Sequence, residues 1–77
     1  MSTTLPMPAD PRWKQFITGE LQPEFLGAKV MLGRLSATYR SSPSPVTMAD
    51  CCAELHELYS KVSHLPKIQD EIATLFK

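Results

Sequence analysis

Residues 23–40 read PEFLGAKVMLGRLSATYR, and the spacing of apolar residues in this stretch decides the fold. Phe25, Ala28, Leu32, Leu35 and Tyr39 follow one another at steps of 3, 4, 3 and 4, the repeat of a helix that buries one side. Pro23 suits a first helical position, where its missing N–H wastes no donor, and Leu21 is placed to staple onto Leu26. The spacing predicts a helix over 23–40. At about 100° per residue, Leu26, Val30 and Ala37 gather on a second side, with Gly33 at its edge. A helix in a two-helix hairpin needs only one apolar side. The second must therefore be covered by the first helix, by the last helix or by another chain. Gly33 and Ala37, four apart, also let a neighbouring backbone come close.

Downstream, Ser41-Ser42-Pro43-Ser44-Pro45 marks a loop of roughly six residues, short enough to make the flanking helices antiparallel. Thr47 is the expected cap of a third helix over 47–64, with Asp50 three residues on in a near capping-box arrangement. Met48, Cys51, Cys52, Leu55, Leu58, Tyr59 and Val62 line one face of that helix. Asp50, Glu54, Glu57, Ser60, Lys61 and His64 occupy the other. Pro66 either kinks this helix or opens a new one. A separate helix over 66–76 is preferred, because Ile68, Ile72, Leu75 and Phe76 form a stripe of their own.

Upstream, Asp10-Pro11 is a helix start: proline holds its predecessor extended, as an N-cap requires, and fits the first helical position. Trp13, Phe16 and Ile17 share one side of a short helix over 11–18, and Gly19 ends it. Residues 1–9, broken by Pro6 and Pro8, read as a disordered tail ahead of a single helical domain over 10–77. Charges complement the helix dipoles, with Glu24 early and Arg34 and Arg40 late in the second helix, Asp50 early and Lys61 late in the third, and Asp70 and Glu71 early with Lys77 at the end of the fourth. The expected architecture is an all-α bundle built on an antiparallel helical hairpin, with a short N-terminal and a short C-terminal helix.

The composition excludes several functions. Eight basic and eight acidic residues cancel in a chain of 77, with a pI near 6.7. Binding nucleic acid by charge alone wants a strongly basic stripe, which this balance withholds. The halves differ, however: residues 1–40 hold five basic and three acidic groups, and residues 41–77 the reverse. The first nine residues have no basic group or apolar run, so they do not read as a secretory signal, and no run is long enough to span a bilayer. Two adjacent cysteines on a helix point about 100° apart and do not bridge easily, which fits the reduced cytoplasm. A core this small also leaves a partner or a second copy as the remaining source of stability.

No residue set compels chemistry. Cys52 and His56 sit four apart, a metal-ligand spacing, yet the thiols straddle the apolar stripe and no second ligand pair accompanies them. His64 has no nucleophile at a recognisable elbow beside it, and the acidic residues of the third and fourth helices lie on a polar face rather than pointing inward as bundle metal ligands do. The reading is a protein with no catalytic, cofactor-binding or metal-binding residues. It is a small intracellular adaptor, regulatory or chaperone-like subunit that self-associates or binds a protein partner, a dimer being the expected assembly. Its interface is expected at Trp13, Phe16, Leu26, Val30, Gly33 and Ala37. The alternative is a helix-turn-helix-like DNA-binding regulator, opposed by the acidic third helix and by a loop longer than that motif's turn.

Overall fold

The computed structural model describes residues 5–76, so the readings placed on residues 1–4 and on Lys77 lie outside the described residues. A 3-10 turn, Pro11–Trp13, runs into α1, Lys14–Ile17; α2 spans Leu26–Ser41, α3 Pro45–Val62 and α4 Pro66–Leu75. The protein is all-α, and α2 and α3 form its antiparallel hairpin. The turn and α1 pack across both hairpin helices, while α4 packs on α3.

The core follows the apolar stripes. Ala28, Leu32 and Leu35 of α2 meet Met48, Cys51, Cys52, Leu55 and Tyr59 of α3, with Ile72 of α4 and Trp13, Phe16 and Ile17 closing over them. Trp13 is the hub of an aromatic cluster: its ring centroid lies 4.8 Å from Phe76, 5.6 Å from Tyr59, 5.9 Å from Phe16 and 5.4 Å from the His56 ring, which meets it edge-on. Edge-to-face and tilted pairs at these separations add to the burial of the rings themselves. The fully buried indole satisfies its N–H outside the helices, donating to the Met7 carbonyl at 3.0 Å and more weakly to that of Pro6 at 3.4 Å. The tail expected to residue 9 is thus anchored at Pro6 and Met7: Pro6 is buried and Leu5 packs against the cluster, whereas the Met7 side chain, Pro8 and Ala9 are exposed.

Helix boundaries differ from the expected ones wherever a cap lies elsewhere. Asp10 does cap the first turn, its carboxylate accepting the Arg12 N–H at 2.9 Å, and Gly19 does end α1 with φ of +87°. For α3 the cap is Ser44, not Thr47: Ser44 is extended, Pro45 takes the first helical position, and the Thr47 N–H donates to Ser44 Oγ at 3.0 Å. A serine directly before a proline fulfils both N-terminal preferences, three residues ahead of the expected cap at Thr47. With α2 continuing to Ser41, the connection shrinks from about six residues to the three of Ser42–Ser44, well within the range of helix-helix connections.

At the start of α2 the helix begins at Leu26 rather than at Pro23, which is instead fully buried. Leu26 is 73 % exposed, so the Leu21–Leu26 staple does not form; Leu21 packs on the core alone. The N-cap residue, Phe25, offers no side-chain acceptor. The cap comes from 46 residues away, where Glu71 Oε1 on α4 accepts the backbone N–H groups of Glu24 at 2.8 Å and Phe25 at 2.9 Å. Pro66 opens α4 after an extended Leu65, which resolves the kink-or-split alternative as a split.

Candidate interaction surface

The two sides of α2 have opposite fates. The Phe25–Tyr39 stripe is buried or half-buried in the core, and the second apolar side is in solvent. Leu26 is 73 % and Val30 68 % exposed, and Gly33 and Ala37 are exposed beside them. A Cβ placed on Gly33 meets no atom within 4 Å, so none of the described residues covers this side. Burying Val30 or Leu26 fully is worth about 1.5–3 kcal/mol each, which this fold leaves unclaimed.

Trp13 and Phe16, expected at the same interface, are 0 % exposed. Their sequence signal, large aromatic residues on a short helix, fits an anchor for a partner equally well. The structure uses them to cover the hairpin, because the indole N–H finds its acceptors in residues 6 and 7 and both rings fill the space between α3 and Phe76. The candidate surface therefore reduces to Leu26, Val30, Gly33 and Ala37.

Charge frames this surface. Helix α2 contains Lys29, Arg34 and Arg40 and no acidic residue. Arg34 reaches across the hairpin to Glu54 at 2.7 Å, whereas Lys29 and Arg40 take part in no ion pair among the described residues. The outward side of α3 carries Asp50, Glu54 and Glu57 against Lys61, which pairs with Glu57 at 3.2 Å. Val46, at its N-terminal end, is 71 % exposed; with the helix expected to start at 47, it falls in the expected loop and carries no periodic signal.

The groups weighed for chemistry lie apart. Cys51 and Cys52 are buried and unbridged. Burial pushes both thiols up from their ordinary pKa; Glu54 and Asp50 add to the shift at Cys51, and Cys51 adds to that at Cys52. A raised pKa disfavours the thiolate that nucleophilic or metal-binding chemistry needs. His56 is engaged edge-on by Trp13, and among the described residues no three His, Cys, Asp or Glu side chains gather around a common point. A groove of about 680 Å³ opens between Pro8–Asp10, Lys14 and the α2–α3 turn, reaching Met48 and Cys52. Asp10 on its rim is already held by Arg12 at 3.0 Å, which lowers its pKa through the paired hydrogen bonds.

One buried polar site escaped the sequence reading. Tyr59 Oη and Glu71 Oε2 are both enclosed without a hydrogen-bond partner among the described residues. Burial, and secondarily the nearby Glu71 carboxylate, pushes the Tyr59 phenol well above its ordinary pKa of about 10. Periodicity gave no signal for Glu71, which sits at the edge of the polar face of its helix. No described helix is long and apolar enough to cross a membrane. Compared with protein-family models, curated proteins and solved structures, the chain matches none.

Proposed function

We propose that this chain works without catalysis, as a small adaptor, regulatory or chaperone-like subunit whose outer α2 face docks against a helix of another chain. The single observation that carries the reading is the exposure of Leu26 and Val30 on a helix whose opposite side is already packed. An amphipathic helix laid on such a stripe contributes anchors at i, i+4 and i+7, the pattern that Leu26, Val30 and Gly33 present. The unbridged cysteines fit a reducing, intracellular setting.

The DNA-binding alternative gains one observation, the three-residue connection between α2 and α3. It is opposed by their antiparallel packing and by the acidic outward side of α3, since a recognition helix crosses its partner steeply and faces phosphates.

The test is Val30→Glu. Because Val30 is surface-exposed, the substitution is expected to leave helicity by circular dichroism unchanged. Light scattering after size exclusion should show the wild type above 8.6 kDa and the variant at 8.6 kDa. A wild type that stays at the single-chain mass at every concentration, or a variant that associates as the wild type does, overturns the reading.

A further inference from the structure

The reading above leaves the identity of the docking helix open, and the charges on the hairpin choose it. At about 100° per residue, Gly33, Leu26, Ala37 and Val30 form the centre of the solvent-facing arc of α2; Lys29 and Arg40 border it on one side and Arg34 on the other. Arg34 is already paired with Glu54 of the same chain, so symmetric pairing of this arc with itself sets the unpaired Lys29 and Arg40 against their own copies with no acidic residue in the helix to offset them. Like charges across a helix seam oppose association.

The outward arc of α3 has the complementary character. Val46, Ala49 and Ala53 are exposed along it, accompanied by Asp50, by Glu57 in its exposed pair with Lys61, and by Glu54, which is held by Arg34 of the same chain. Asp50 takes part in no ion pair among the described residues, matching the unpaired Lys29 and Arg40 of α2. Ala49 and Ala53 repeat the four-residue spacing of Gly33 and Ala37, so the two arcs can approach at the short end of the 8–10 Å range of helix axes.

We infer, on the basis of the proposed docking role of α2, that the outer face of α2 in one copy binds the outer face of α3 in a second copy, joining chains head to tail. Such a contact is heterologous. A dimer joined this way keeps one unsatisfied α2 face on one copy and one unsatisfied α3 face on the other, so assembly continues past two or closes as a ring. The dimer expected from sequence gives way, in this proposal, to a concentration-dependent series. The contact is also sensitive to salt, because exposed charges are screened within about 3 Å at 1 M ionic strength and within about 30 Å at 0.01 M.

Two double variants test it by light scattering, with circular dichroism confirming that each stays helical: Lys29→Glu with Arg40→Glu, and Asp50→Lys with Glu57→Lys. All four positions are exposed. The wild type is expected to exceed twice the chain mass as concentration rises at low salt, and to fall back at high salt. Each variant alone presents like charges on both faces and is expected at the single-chain mass. Their equimolar mixture restores opposite charges at every junction and is expected to associate again. If the Asp50/Glu57 variant associates as the wild type does while Val30→Glu remains monomeric, the head-to-tail contact is overturned and the α2 docking role stands. A mixture that stays monomeric also overturns the contact, and a wild type that never associates removes both.

Discussion

Replacing Glu71 by alanine removes the cap that α4 supplies to α2, and the cost follows from two short contacts. Glu71 Oε1 accepts the N–H groups of Glu24 and Phe25 at 2.8 and 2.9 Å, the first at an exposed site and the second at a half-buried one. Hydrogen bonds to a charged acceptor reach about 1.5–3 kcal/mol when protected; exposure brings each here toward about 1 kcal/mol, or about 2 kcal/mol together. Against this stands Glu71 Oε2, buried without a partner, whose removal returns about 1 kcal/mol. The expected net loss is about 1 kcal/mol, which in a domain of this size lowers Tm by about 4–8 °C. Glu71→Gln keeps an acceptor at Oε1 and is expected to lose about half as much. The assay is thermal and urea unfolding of both variants beside Glu57→Ala, whose exposed pair with Lys61 is worth only about 0.3–0.5 kcal/mol. Amide hydrogen exchange adds a local reading, with protection of the Glu24 and Phe25 amides falling selectively in Glu71→Ala. A Glu71→Ala protein as stable as Glu57→Ala, with those two amides still protected, would refute the reasoning.

Two further substitutions examine the caps and the buried phenol. Ser44→Ala is expected to cost about 1 kcal/mol in urea unfolding and Thr47→Ala clearly less, because Ser44 Oγ accepts the Thr47 N–H; the reverse order would return the cap to Thr47. Tyr59→Phe removes a buried hydroxyl that has no partner, so it is expected to leave stability unchanged or raise it by about 1 kcal/mol. The same phenol ties stability to alkaline pH. Its folded pKa lies above the unfolded value of about 10, so its contribution is whole below pH 10 and drains as pH rises further, at up to about 1.4 kcal/mol per pH unit. Melting curves between pH 8 and 11 should show the wild type losing Tm more steeply than Tyr59→Phe above pH 10, and parallel curves would contradict the assignment.

Much of the fold was legible because helical periodicity is a local property. The stripes from Phe25 to Tyr39, from Met48 to Val62 and from Ile68 to Phe76 each recur at three- and four-residue steps, and each forms the inner side of its helix. Gly19 and Asp10 were readable for the same reason, since a positive φ and an Asx cap involve only near neighbours. The start of α3 slipped by two residues because Ser44 and Thr47 are both competent caps, and only the position of Pro45 separates them. The candidate surface was half legible. An apolar second side on α2 could be read from Leu26, Val30, Gly33 and Ala37, but whether the chain itself covers it could not.

The sequence alone determined that this chain is a set of amphipathic helices, and that its basic and acidic residues divide between the two arms of a hairpin. Local spacing and charge order suffice for those properties. Tertiary structure decided what lies inside. It drew Trp13 and Phe16 into the core, bound the carbonyls of Pro6 and Met7 to the indole, set Glu71 against the start of a helix 46 residues away, and left Leu26 and Val30 in solvent. Each of those outcomes depends on which faces meet in space, and contacts between residues distant in sequence leave no periodic trace in the chain.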